Sequence, residues 1–301
     1  MALSAGLRTF RHTQRWPDDP ACKPVVVQEE SIVIDFEGQK LSGQAMFGKG
    51  SHPRPLVLII PDDHGLCSFY HQVARFFARA GYVGLAADFF GDQLADSDRG
   101  PEASAGSRKA QAGAVLKLAS ASGKLRRLAE AWLNRGKYMA QVDLSHSVAI
   151  GFGWGGAVVQ ELLHGGTLIS AVVVIESKLD LSYSDEVLQE LELERPDVAE
   201  GEQVVENPGP PKRVLGYTIS SPFDRRVYDV HHKWDAYGLD FCHMAPANVG
   251  SGFLFPGAEY SVVAEQRVAV ELLSFFAEVF PHVERHPVDL SWSGCSLPDA
   301  V

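Results

Sequence analysis

Apolar runs alternate with amphipathic stretches along most of the chain. SIVIDF (31–36) and LSGQAMFG (41–48) predict a hairpin of strands, and the unbroken run PLVLII (55–60) predicts a strand buried on both faces. YHQVARFFARAGY then puts Val73, Phe76, Phe77 and Ala80 on one helical face with Gly81 as its stop, and YVGLAAD supplies another buried strand, completing a βαβ unit. Residues 106–136 carry helix formers throughout, with a weak break at Ser122 and Gly123. SVAI (147–150), AVVVIE (171–176), RVLGYTIS (213–220) and GFLFP (252–256) continue the sheet, and residues 261–280 predict a closing helix. This alternation predicts a single-domain α/β fold over residues 31–280, with a mostly parallel central sheet and helices on both faces. Residues 1–30 read as an N-terminal extension, and 281–301, with Pro281, Pro287 and Pro298, as an irregular tail.

One stretch breaks the rhythm. Residues 182–211 are acidic and close on a proline-rich turn, which reads as an insertion on the domain surface and a candidate face for a protein partner. The whole chain carries a formal net charge of −11, which argues against nucleic acid or an anionic membrane surface as a partner. No run of apolar residues is long enough for a membrane span, and the N-terminus lacks the apolar core of a secretory signal. Cys22, Cys67, Cys242 and Cys295 stand far apart without metal-ligand spacing, so neither a disulfide framework nor a metal site is expected. A reducing, cytoplasmic compartment fits this usage; the Arg-bearing, acid-free stretch through Trp16 supplies the alternative of an organelle transit segment.

The chemistry concentrates at GFGWGG, Gly151 to Gly156, between a predicted strand and a predicted helix. Gly151, Gly153 and Gly156 satisfy GxGxxG, and Glu176 ends the next strand about 20 residues on, the pattern of a dinucleotide-binding oxidoreductase. The same six residues also fit a nucleophile elbow, in which small residues two before and two after the centre relieve crowding in a tight strand-to-helix turn. Gly151 and Gly155 fill those flanks. The centre, where a strained φ is required, is Gly153, the residue for which that conformation costs least.

On these residues the chain resembles the dienelactone hydrolases, whose elbow is GxCxGG. The resemblance extends over roughly residues 30–280 through PDDHGL (61–66), RFFARAGY, LAADFFGD (85–92) and FPGAEYSV (255–262). It implies an α/β-hydrolase fold, no cofactor, and a Cys-His-Asp triad for ester or lactone hydrolysis. In this chain the nucleophile position holds Gly153 and the histidine position Tyr260, with the acid falling at Asp224 or Asp229. By the same resemblance the backbone amides of Trp154 and Asp63 would donate to an oxyanion.

Glycine offers no nucleophile, and a phenol is a poor base near neutral pH, so the family's covalent route is expected to be lost. A small-molecule pocket or an assembly role would remain, as in a pseudoenzyme with a degenerate triad. Relocated groups form the alternative. Asp62, Asp63, His64 and Cys67 sit in the loop facing the elbow and can support a hydrolase, lyase or isomerase by proton transfer, or by a thiol of lowered pKa. Trp154 is a ligand platform or a plug, and Tyr260 is expected to donate its hydroxyl to Asp224. His231 and His232, beside Asp229 and Asp235, read as surface residues of a helix.

Overall fold

Val57 and Ile59 pack into one half of the core while Leu56, Leu58 and Ile60 of the same strand pack into the other, and all five are fully buried. That alternation is what a central strand with helices on both faces requires. In the computed structural model the described residues are 25–50, 52–100, 105–119, 123–177, 189, 214–222, 224–255, 259–284, 286, 288 and 290–292. The acidic stretch 182–211, save one residue, lies outside them, as do most of the two terminal segments.

The strands are β1 (Val27–Phe36), β2 (Gln39–Gly48), β3 (Arg54–Ile60), β4 (Val83–Ala87), β5 (Val142–Phe152), β6 (Ala171–Ile175), β7 (Leu215–Ile219) and β8 (Asp240–Met244). They form one sheet in the order β1-β2-β4-β3-β5-β6-β7-β8. β1 and β2 form the expected hairpin, β2 pairs antiparallel with β4, and every pairing from β4 to β8 is parallel. The helices are α1 (Ser68–Arg79), α2 (Ala105–Ala119), α3 (Lys124–Lys137), α4 (Gly155–His164), α5 (Arg226–Ala236) and α6 (Val262–Val279). α1 and α6 cover one face through Val73, Phe77, Leu272 and Phe276, and α2 to α5 cover the other through Val115, Trp132, Leu162 and Trp234. Burying each such side chain is worth about 1.5–3 kcal/mol, which is why the apolar faces dictate the layering. No helix among the described residues is long and apolar enough to cross a membrane.

Among the described residues one expected strand is absent and one unread strand is present. GFLFP is not a strand: Gly252 lies at φ +86° and the segment turns, although Phe253 and Leu254 are fully buried. The eighth strand is instead DFCHM, whose mostly exposed edge carries too little apolar signal to read from sequence. The break anticipated near Gly123 does separate two helices, with Gly123 at φ +65° capping the start of α3.

The parallel register aligns the carboxyl ends. Ile60 pairs with Gly151, Phe152 with Ile175, Ile175 with Ile219, and Ile219 with Met244. The residues that follow these strand ends, Asp62 to His64, Gly153, Glu176 and Asp224, therefore share one rim, where open α/β sheets place their ligands.

Candidate active site

Gly153 sits at φ +48°, between the end of β5 and the first turn of α4. Its N–H donates to Ile175 O (2.8 Å) and its carbonyl accepts from Gly156 N (3.1 Å), so the turn is tied to the neighbouring strand and to its own helix. The flanks are as tight as an elbow demands: a Cβ on Gly151 would stand 2.2 Å from Gly155 O, and one on Gly155 would stand 2.5 Å from both Ile60 O and Pro61 O. The turn has the tight geometry of an elbow, with glycine at its centre.

Asp62 fills the space opposite. Its backbone N–H donates to the buried Tyr70 hydroxyl (3.0 Å), Oδ1 accepts from His64 N (3.0 Å), and Oδ2 lies 2.6 Å from His64 Nδ1. The Asp62 side chain is 6% exposed and that of His64 30% exposed, so the acid is enclosed while the imidazole reaches the rim. This pairing favours the tautomer with the proton on Nδ1 and the lone pair on Nε2. Asp63 Oδ1 lies 3.9 Å from the same Nδ1.

Two structures hold the imidazole. Gly100 N donates to His64 O (3.0 Å), and the loop carrying Gly100 is fixed by a bidentate fork between Arg99 and Asp88 (2.9 and 3.0 Å), both nearly buried. On the other side Phe255 lies 6.3 Å from the His64 ring and joins a cluster with Phe69, Tyr70 and Phe152. Nothing in the residue pattern marks Arg99 or Phe255 as supports of His64, since both contacts are made across loops distant in sequence.

Trp154 is a plug rather than a platform. Its indole is 2% exposed, packed 5.2 Å from Phe90 and 6.1 Å from Phe89, and its Nε1 has no partner among the described residues. Its backbone N–H, at the N-terminus of α4, likewise has no acceptor among the described residues and is available to an oxyanion.

Cys67 caps α1 within reach of Asp62's charge. Burial, with a smaller contribution from Asp62, pushes its thiol up rather than down, which disfavours the thiolate form.

The other predicted residues form two separate groups. Asp224 is held by Arg226, whose Nε and terminal nitrogen donate to its two oxygens at 2.7 and 2.8 Å. Asp229 is exposed on α5, whereas Asp224 is half-buried at the carboxyl rim. The Tyr260 hydroxyl donates to Glu265, a fully buried residue of α6 that also accepts from Trp292 N (2.7 Å). The expected bond from Tyr260 to Asp224 is thus replaced by one within its own segment, because Glu265 lies one helical turn beyond the Ser261 cap. His231 is also more than surface: its Nε2 lies 2.7 Å from the buried Thr218 hydroxyl.

Glu176 answers the dinucleotide reading. It adopts φ +50° directly after β6, is 6% exposed, and both its oxygens accept from Gly252 N (3.0 Å each). Burial raises its pKa, with the charge of Asp224 adding to the shift. A carboxylate committed to the 251–255 turn is not presented to a ribose, and the sheet order is not that of the dinucleotide fold.

Two groups among the described residues have metal-ligand composition. Asp62, Asp63 and His64 are one; Asp143, His146 and His282, at the opposite end of β5, are the other.

The strand order, the elbow at Gly153 and the clustering of polar groups at the carboxyl rim define an α/β-hydrolase fold. Over residues 43–188 the chain matches the sequence profile of the Dienelactone hydrolase family. Solved structures agree on the fold. A dienelactone hydrolase-like promiscuous phosphotriesterase from metagenomic libraries superposes with a TM-score of 0.64 at 20% identity, covering 84% of this chain and 98% of its own. An esterase of the fungus Rhizomucor miehei gives 0.57 at 12% identity, covering 87% of each chain. The hyperthermophilic esterase of Pyrobaculum calidifontis gives 0.51 at 15% identity, covering 85% of this chain and 87% of its own. At these identities the likeness speaks for the fold alone. No curated protein sequence matches the chain.

Proposed function

We propose that the protein binds small carbonyl compounds, esters or lactones, at the Gly153 elbow and hydrolyses them without a covalent intermediate, using the Asp62–His64 pair as general base. The observation that carries this reading is the 2.6 Å contact between Asp62 Oδ2 and His64 Nδ1, formed directly against an elbow that has no nucleophile. In this reading the family's triad is degenerate at Gly153 and Tyr260, and water takes the place of the side-chain nucleophile.

The steps balance simply. His64 Nε2 removes a proton from water as its oxygen bonds to the carbonyl carbon, and Asp62 stabilises the resulting imidazolium. The carbonyl oxygen becomes an oxyanion that accepts from the backbone N–H groups of Trp154 and Asp63. Collapse breaks the bond to the leaving alkoxide, which takes the proton back from His64. Asp63 contributes its amide, and Cys67 has no role.

The test is kcat/KM on a panel of activated esters and simple lactones for the natural protein, His64→Asn and Asp62→Asn, with intact-mass analysis of quenched reactions. We expect turnover in the natural protein, a loss of about 10²–10⁴-fold in His64→Asn, and no acyl adduct. An acyl adduct on any residue, undiminished activity in His64→Asn, or no turnover by the natural protein would each overturn the proposal.

A further inference from the structure

The start of β5 and the end of α6 bring together three metal-ligating side chains that the hydrolase site does not use. Asp143 and His146 lie in the stretch of β5 between Val142 and Ser147, where the register with β3 shifts, and His282 follows α6 by three residues. Asp143 Oδ1 accepts from Ser145 N (2.9 Å), which fixes the carboxylate so that Oδ2 faces His146 Nδ1 at 2.7 Å. The His146 and His282 rings are 4.7 Å apart, and Phe280 packs edge-on against His146 at 5.6 Å. One ligand atom from each of the three residues lies within 4.8 Å of the others.

We propose that Asp143, His146 and His282 bind a divalent transition-metal ion of the zinc class, with at least one coordination position left to water. Two imidazoles and one carboxylate suit zinc and its neighbours rather than magnesium or calcium, which prefer all-oxygen shells. Ligand atoms around tetrahedral zinc stand about 3.4 Å apart, given bonds of about 2.0–2.2 Å. The observed cluster lies close to that spacing: Asp143 Oδ2 and His146 Nδ1 stand 2.7 Å apart, and all three ligand atoms lie within 4.8 Å of one another. Asp143 and His146 are about one-third exposed, so the ion can enter from solvent.

The site is separate from the hydrolase site, since His146 lies seven residues before Gly153 along β5 and near its extension, about 23 Å away. Its effect is that of a clip. An ion shared by β5 and the segment after α6 ties the closing helix to the sheet, and binding only to the folded chain stabilises it by mass action.

The experiment is equilibrium dialysis of tag-free protein against zinc, with metal content by mass spectrometry, alongside cobalt absorption spectra and thermal denaturation with and without zinc. His146→Ala, His282→Ala and Asp143→Asn are compared with His64→Ala, which separates this cluster from Asp62, Asp63 and His64. We expect one zinc per chain and a zinc-dependent rise in Tm in the natural protein and in His64→Ala, at least tenfold weaker binding in both His variants, and cobalt bands lost with them. His282 is exposed, so His282→Ala should keep the natural Tm in chelator, which separates loss of metal from loss of fold. Equal zinc content in the natural protein and His282→Ala, loss of zinc only in His64→Ala, or no zinc bound would overturn the proposal.

Discussion

The Cβ that Gly153 lacks would stand 3.0 Å from the Cβ of Asp62. The elbow and the acid of the Asp62–His64 pair are therefore packed against one another, and a side chain at Gly153 would have to displace Asp62 by a few tenths of an ångström. At φ +48°, a side chain costs about 1–2 kcal/mol in conformational strain before the contact with Asp62 is counted. Gly153→Ala is expected to lower Tm by about 2–8 °C while leaving the far-ultraviolet circular dichroism unchanged. A Tm equal to or above that of the natural protein would mean that the turn relaxes out of the left-handed region.

Cys67 provides a contrast in the same loop. Because burial and the charge of Asp62 both favour its protonated form, the side chain remains a thiol at neutral pH and a poor nucleophile. Cys67→Ala is expected to change kcat/KM by less than about twofold, the scale of a small local repacking rather than of a lost catalytic group. Iodoacetamide at pH 7.5 should leave activity intact. Inactivation that tracks modification of Cys67 would reinstate it as a nucleophile.

The sheet, the elbow and the loop facing it were legible because each rests on short-range sequence signals. PLVLII and AVVVIE are too uniformly apolar to be anything but central strands, and GFGWGG places small residues where backbone atoms approach within 2.2–2.5 Å. The support of the site was not legible because it depends on contacts between distant segments. Gly252 reaches Glu176 across 76 residues, and the Arg99 fork steadies His64 only through the backbone of Gly100. Phe253 and Leu254 misled for a physical reason: full burial produces the same apolar run in a turn packed under a helix as in a strand. β8 misled in the opposite sense, since an exposed edge strand needs hydrogen bonds to its neighbour but not apolar side chains.

Glu176 is a buried carboxyl whose pKa is raised chiefly by desolvation. Above the ordinary value of 4.5 and below the folded-state value, the native chain holds a proton that the unfolded chain has released. The contribution of Glu176 to stability is then fully present below about pH 4.5 and declines as pH rises through the folded-state value. Glu176→Gln removes this dependence while keeping an oxygen to accept from Gly252 N. Urea unfolding at pH 4.5 and pH 7.5 should show the natural protein losing stability relative to the variant at the higher pH. A constant difference between the two proteins would show that Glu176 titrates alike in both states.

Tyr260, proposed above as the counterpart of the family's histidine, commits its hydroxyl to Glu265, which accepts a second hydrogen bond from Trp292 N. That arrangement pins the residues before α6 and the segment after it to one buried carboxyl. Removing the hydroxyl takes one hydrogen bond away from the fully buried Glu265 carboxyl, a loss of about 1–3 kcal/mol. Tyr260→Phe should therefore lower Tm by about 2–12 °C, with kcat/KM on the ester panel held within about twofold of the natural protein at temperatures where both are folded. A catalytic phenol would behave oppositely, with little change in Tm and a fall in kcat of at least 10²-fold. The two measurements together decide whether the residue at the histidine position serves the reaction or the fold.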